Sequence, residues 1–397
     1  MCKSASALRR AGTTRAVAID WSAWAGIGMA SRGSIPRIME MAGIDMLDPA
    51  AAVPVVRREL TAGGPGGEVV VAGRLGLLLE ERHEHGGLDA EAATAAMPRA
   101  GGPMTGTIVA HTLRDGLVVR TSLDPHRQAF LDDHRIDGTP VLPGVMGMEG
   151  FAEAAAAVLP GWQVVGLEDV DLLAPCKFYR DEPRTLELRA LVRDGGDGTL
   201  VADCRLVGRR TLAGGEEQES VHFTGRARLA RELPDAPAAA VAPGDGATHH
   251  PVAHDAVYRV YFHGPAYRVL DAAWRDDGHV VGRLAGDLPL DHDPPEQPMV
   301  LLPRLIELCF QTAGVWELGT AGRMGLPTHV DRVRRYAAPD GAAILHAVVT
   351  PRDDGGTDAE VVAADGHVVV ALEGYRTTEL PGGVDEELLA PIRDAMR

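Results

Sequence analysis

His134, Gly138 and Pro143 stand in the spacing H-x-x-x-G-x-x-x-x-P, inside the run FLDDHRIDGTPVLPGVMGME that covers residues 130–149. Each residue type suits a task. Histidine titrates near neutrality and accepts a proton without a metal. Gly138 permits close backbone approach, so a carbonyl substrate can lie against the main chain. Pro143 and Gly144 open a helix, whose unpaired first amides and dipole can polarise a carbonyl oxygen. A histidine in a turn before a buried helix is often an ordinary loop residue, but the whole constellation argues for a site.

These groups need a scaffold. The helical pattern from Pro143-Gly144 runs through Met148, Glu149, Phe151 and Ala154 to about Leu159. Strand-like runs surround it at Thr107–Leu113, Leu117–Ser122, Val164–Tyr179, Thr185–Val192, Leu200–Val207 and Val221–Leu229. Residues 254–380 repeat the plan, with a helix from Pro303 to about Leu318 and strands at His329–Tyr336, Ala343–Thr350, Glu360–Ala363 and Val368–Tyr375. One helix and a curved antiparallel sheet, twice over, is the layout of two hotdog folds in tandem. The expected class is therefore α+β, a double hotdog, preceded by a partial α/β, Rossmann-like segment. The expected boundaries are residues 1–79 for the α/β segment, 80–103 for a polar, Gly-rich linker and 104–232 for the first hotdog. A Pro/Ala linker over 233–253, the second hotdog over 254–380 and a tail helix over 381–397 complete the chain. The tail helix is expected to lead towards another domain or a partner.

Composition narrows the class of partner. A net charge of −17 argues against nucleic acid, which demands a concentrated basic surface. The four cysteines lie far apart with no C-x-x-C pair, so neither a zinc site nor a disulfide framework is expected. No apolar run approaches the length of a membrane span, and the basic residues 1–10 lack the apolar core of a signal peptide. A soluble, cytoplasmic protein is the expectation.

The 130–149 run resembles the dehydratase domains of modular and iterative polyketide and polyunsaturated fatty-acid synthases. It also resembles the stand-alone β-hydroxyacyl-carrier-protein dehydratases, but carries one more residue between His134 and Gly138, as the synthase-embedded form does. The resemblance covers roughly residues 104–380 and implies a second catalytic group on the later helix, in a pattern P-x-x-L-D-x-x-x-Q/H. The matching stretch, Pro303 to Gln311, has Glu307 in place of Asp, with Gln311 one turn on to orient the carboxyl. Burial among Leu305, Ile306, Leu308 and Phe310 is expected to raise the carboxyl pKa and keep it protonated. The implied chemistry is removal of the α-proton by neutral His134, with amides near Gly138 and Gly144 on the enolate oxygen. Protonation of the departing β-hydroxyl by Glu307 completes it. The resemblance further implies that no cofactor is bound and that the substrate rides on the phosphopantetheine of an acyl carrier protein. The family's Y-G-P-x-F element reads His263-Gly264-Pro265-Ala266-Tyr267 here. His263 replaces the tyrosine, either as a substitute donor or as a plain loop histidine. His292 precedes Glu307 by fifteen positions as His134 precedes Glu149, which raises a pseudo-symmetric second site and makes Glu149 the fallback acid. Glu296 stands where that second site needs glycine, so a dead relic or a coincidence of spacing is the expected reading.

Residues 16–30, AVAIDWSAWAGIGMA, resemble the C-terminal end of a synthase ketoreductase, with its W-x-x-W run and G-M-A loop. Neither a G-x-G-x-x-G loop nor a Y-x-x-x-N pair precedes them, so no reduction is expected. The order of the two resemblances is that of iterative type I synthases of the enediyne and polyunsaturated kind. The partners implied are an acyl carrier protein and other domains of the same synthase, with a homodimer compatible but not demanded. Arg332, Arg334 and Arg335, or Lys177 and Arg180, are the candidate carrier patches. A hotdog thioesterase, a product-template-like domain and a non-catalytic double-hotdog scaffold are the alternatives.

Overall fold

The computed structural model describes residues 2–12, 14–61, 67–76, 102–112, 116–159, 161–196, 198–211, 217–244, 250–337 and 344–397. The chain divides into two compact units, residues 1–87 and 88–397. The expected linker over 80–103 lies outside the described residues except at its last two positions.

The first unit contains α1 (Cys2–Arg10), β1 (Ala18–Trp21), α2 (Ile35–Met41), α3 (Pro49–Thr61) and β2 (Glu68–Val71). β1 and β2 pair in parallel, Ala18 opposite Glu68 and Trp21 opposite Val71. Parallel pairing requires a crossover, which α2 and α3 supply. Asp48 starts α3 by accepting the Ala50 amide at 3.0 Å, and Pro49 needs no donor in the first turn.

The second unit begins with β3 (Thr107–Thr112), β4 (Gly116–Leu123), a short α4 (Ala129–Asp132), and the hairpin β5 (Arg135–Ile136) and β6 (Thr139–Pro140). The central helix α5 (Gly144–Val158) follows, then β7 (Gln163–Leu172), β8 (Arg184–Gly196), β9 (Thr199–Thr211) and β10 (Glu217–Ala230). The later half holds β11 (Val252–Ala253), α6 (His254–Val257), β12 (Leu270–Asp276), β13 (His279–Leu284) and the second central helix α7 (Pro303–Ala321). It closes with β14 (Gly325–Arg335), β15 (Leu345–Pro351), β16 (Thr357–Ala363), β17 (Val368–Glu379) and α8 (Glu386–Met396).

Among the described residues thirteen strands form one sheet in the order β11-β12-β13-β15-β16-β17-β14-β7-β10-β9-β8-β4-β3. The earlier half wraps α5 and the later half wraps α7, giving the double hotdog. Both helices are apolar on nearly every side, as a helix enclosed by a sheet must be. Val145, Met146, Met148 and Phe151 on α5, and Ile306, Leu308 and Val315 on α7, are fully enclosed in a single core. The halves join where β7 pairs antiparallel with β14, from Asp171 opposite His329 to Gly166 opposite Arg334. Gly166 permits this seam, because a Cβ there would meet the Val333 carbonyl oxygen at 2.1 Å.

Two expectations need correction. The run read as one strand over Val164–Tyr179 stops at Leu172, because Pro175 cannot donate to a ladder; the chain then loops beside the central cavity. The Pro/Ala stretch is not a free spacer, since Ala239 donates to the Gly366 carbonyl and Val368 donates to the Pro237 carbonyl, both at 2.9 Å. The tail helix packs on α7, with Leu389, Ile392 and Met396 buried. The β12–β13 hairpin is an addition to the expected strands. No described helix is long and apolar enough to cross a membrane.

The β5–β6 hairpin turns through Asp137 and Gly138, with φ of 49° and 77°. A two-residue turn with both φ positive matches the twist of its strands and favours Asp-Gly. Gly138→Ala is expected to cost about 1–2 kcal/mol from the left-handed backbone alone. A denaturation midpoint measured by circular dichroism checks it.

Candidate active site

His134 follows α4 and is pinned twice through its backbone. Its amide donates to Leu131 at 3.2 Å, and its carbonyl accepts from Val141 at 2.9 Å. Its Nδ1 lies 2.7 Å from the Val141 carbonyl oxygen. That oxygen can only accept, so Nδ1 carries the hydrogen and Nε2 keeps its lone pair. Burial, aided by the nearby charge of His263, lowers the His134 pKa to about 4 against the opposing pull of Glu307. The imidazole is thus neutral at neutral pH, with its basic nitrogen free.

Glu307 sits in the second turn of α7, on the far half of the molecule. Its Oε1 is 3.1 Å from His263 Nε2 and accepts the Gln311 amide at 2.8 Å. Burial pushes this carboxyl up, but the His263 hydrogen bond, the charges of His263 and His134 and the Gln311 amide together outweigh it. Its pKa is held below the ordinary value, opposite to the raised value expected from burial alone. The difference arises because the site supplies donors to the carboxylate.

Gln311 is fixed on every side. Its amide also donates to the Tyr267 carbonyl at 2.9 Å, and its oxygen accepts from the Tyr258 hydroxyl at 2.6 Å. Tyr258 in turn accepts the Leu270 amide at 2.8 Å, and Tyr261 donates to the Gln311 carbonyl at 2.7 Å. Sequence reasoning gives neither tyrosine a role; their recurrence just ahead of His263 is the available signal. It misses Asp133 as well. The Asp133 carboxylate accepts the Ala266 amide at 2.7 Å, and its carbonyl accepts the Gly264 amide at 2.6 Å. These bonds clip the His134 loop to the His263 loop, where the two histidines form an isolated β-bridge.

His134, His263, Glu307, Gln311 and Gly144 all line one cavity of about 310 Å³. Leu142, Leu172, Phe223, Phe310, Met324 and Tyr375 supply much of its apolar wall. Gly144 lets α5 approach β7, because a Cβ there would meet Leu172 Cδ2 at 2.7 Å. Pro143 is the N-cap, and the first amides of α5 have no acceptor within the helix. Three expected site residues are placed otherwise. Gly138 is exposed in its turn and does not line the cavity, so positive φ rather than substrate approach requires glycine there. Tyr267 is buried, and its hydroxyl has no partner among the described residues. Glu149 is spent elsewhere.

Glu149 points at the segment that precedes α7, where it accepts the amides of Val300 and of Leu301, the latter at 2.8 Å. Burial pushes its pKa up to about 7 against those two bonds. His292 is engaged with Asp291 at 2.7 Å and the Gln297 carbonyl at 2.9 Å, so neither member of the pseudo-symmetric pair reaches the other. Glu149→Ala is expected to destabilise the fold by about 1–3 kcal/mol for each orphaned amide. Urea denaturation checks this.

Comparison with known proteins gives the same assignment. The family described as "Polyketide synthase dehydratase domain" matches residues 103–202, and "Polyketide synthase dehydratase N-terminal domain" matches residues 234–387. Polyketide synthase ThaG of Burkholderia thailandensis is 29% identical over 290 residues, covering 66% of this chain and 5% of its own length. Pikromycin polyketide synthase component PikAII of Streptomyces venezuelae is 28% identical over 318 residues, covering 76% of this chain and 8% of its own length. The chain therefore spans less than a tenth of these relatives. A trans-AT PKS dehydratase domain from Brevibacillus brevis superposes with a TM-score of 0.58 at 20% identity, covering 71% of this chain and 100% of its own. Two matched segments, one in each half of the double hotdog and together holding His134 and Glu307, lead to one conclusion: the chain belongs to the polyketide synthase dehydratase family.

Proposed function

We propose that this chain removes water from a β-hydroxyacyl thioester, delivered on the phosphopantetheine of an acyl carrier protein, to give the α,β-enoyl thioester. The observation that carries the reading is the pairing, in one apolar cavity, of a neutral histidine with a free Nε2 and a hydrogen-bonded carboxyl from the other half. Elimination needs a base at Cα and an acid at the β-oxygen, on separate walls. His134 Nε2 takes the α-proton. The Gly144 amide, at the N-terminus of α5, faces the developing enolate oxygen. The Glu307 side of the cavity supplies the proton with which the β-hydroxyl leaves as water.

The remaining parts of the reading concern context. Arg332 and Arg334 are each paired with Glu373, at 3.2 and 3.0 Å, and Arg335 is half-buried. Lys177 and Arg180, on the loop that bridges Val141, are the better carrier-docking candidates. Other synthase domains are the natural neighbours. The parallel β1–β2 pair with its helical crossover supports reading residues 1–79 as the end of a ketoreductase domain.

Incubation with a β-hydroxyacyl pantetheine thioester, followed by mass spectrometry, tests the reaction. An enoyl product with loss of about 18 Da, one water, supports it. Free acid would replace it with a thioesterase, a cyclised product with a product-template activity, and unchanged substrate with a scaffold.

A further inference from the structure

The base and the carboxyl of the proposed reaction stand on different halves of the molecule, so their separation depends on what ties those halves together. The β7–β14 seam pairs residues 166–171 with 329–334, and neither His134 nor Glu307 belongs to that ladder. A chain of hydrogen bonds joins them by another route. Asp133, next to His134, accepts the Ala266 amide at 2.7 Å through Oδ2. The carbonyl of the same Ala266 accepts from Arg304 Nε at 3.0 Å. Arg304 lies in the first turn of α7, within one helical turn of Glu307. The Ala266 peptide is thus held from both sides, by one group beside the base and one beside the carboxyl. Ala266 is itself buried, and a peptide shut away from water must find its partners within the protein.

A second route ends on the same guanidinium. The Phe130 amide, on α4 just ahead of His134, donates to the Asp291 carbonyl at 2.8 Å. The Asp291 carboxylate lies 3.4 Å from Arg304 Nε, and Arg304 Nη2 donates to the Pro289 carbonyl. A planar guanidinium can address carbonyls from two of its nitrogens at once, which a lysine ammonium cannot do in the same geometry. Gly264 is explained by the first route rather than by its backbone. Its φ of −84° is open to any residue, but a Cβ there would meet Asp133 Oδ1 at 2.2 Å.

We propose that Asp133 and Arg304 are positioning residues that fix the separation of His134 from Glu307, acting through the peptide of Ala266. This rests on the dehydratase reading above and adds the parts that hold its two reacting groups in register. Neither side chain lines the cavity, so neither is asked to touch the substrate. Their effect on rate comes from geometry, since a misplacement of about 1 Å in a preorganised site can cost about 10²-fold.

The test begins with wild-type protein shown to release enoyl product from a β-hydroxyacyl pantetheine thioester. Asp133→Ala and Arg304→Lys are then each expected to lower kcat by about 10–10²-fold, with KM within about twofold. Asp133→Asn keeps an acceptor oxygen for the Ala266 amide, and is expected to recover most of the Asp133→Ala loss. Because both residues act through one peptide, D133A/R304K is expected to lose little more than the worse single variant, whereas independent ties would multiply their losses. Three results would each overturn the proposal: kcat of D133A within about twofold of wild type, D133N no better than D133A, or multiplied losses in the double variant.

Hydrogen exchange read by NMR covers the case in which a variant fails to fold. The Ala266 amide of the wild type is expected to be protected, and its free exchange would overturn the proposal without any variant. A wild type that forms no enoyl product would remove the dehydratase reading and this proposal together. A wild type that does form it, with any of the contrary results above, removes this proposal alone.

Discussion

His134→Ala is expected to lower kcat for enoyl formation by about 10²–10⁴-fold, the usual contribution of a positioned general base. Substrate binding should change little, because Leu142, Leu172, Phe223, Phe310 and Met324 supply much of the cavity wall. The pH dependence of the wild type reports the same group. An unperturbed imidazole would protonate, and activity would fall, below about pH 6.5. Here burial lowers the His134 pKa to about 4, so kcat/KM is expected to hold through the acid range and fall only as pH passes about 4. The sign for stability follows by linkage. The unfolded chain takes up this proton at a higher pH than the folded chain, so stability decreases as pH drops from the ordinary imidazole value towards about 4. A limb near the ordinary imidazole value, about pH 6.5, in stopped-flow or steady-state data would show that the ring is not desolvated as described.

Glu307→Gln is the second large effect, again about 10²–10⁴-fold in kcat, because it removes the ionisable group that faces His263. Glu307→Asp retains the charge but withdraws it by one methylene from His263 and Gln311. A loss of about tenfold or more is expected, since small misplacements are costly in a preorganised site. Full activity in Glu307→Gln would exclude this carboxyl from the chemistry altogether.

Much of this arrangement can be read from residues in a row. The Asp48-Pro49 start of α3, the Pro143-Gly144 start of α5 and the i, i+4 relation of Glu307 to Gln311 are local, and their geometry follows from one helical turn. The β12–β13 hairpin is equally local, with Asp277-Gly278 at positive φ between apolar runs, and it has the same turn chemistry as Asp137-Gly138. What cannot be read in this way is set by contacts between distant segments. The direction of the Glu307 shift depends on His263, 44 residues away in the chain (307 − 263), and on Gln311 being locked by Tyr258. Glu149 matches Glu307 by offset, yet its carboxylate is absorbed by the amides of Val300 and Leu301. Sequence offset preserves the residue type there, while packing decides its work.

The β7–β14 seam has a consequence for how a guest reaches the catalytic pair. With strand pairing running from Asp171–His329 to Gly166–Arg334, the two halves cannot hinge apart like a clamshell without breaking this ladder. Under the proposed reaction, an acyl chain would enter lengthwise between halves held together along this seam, and stiffness or branching near its thioester end would be sensed before any chemistry begins.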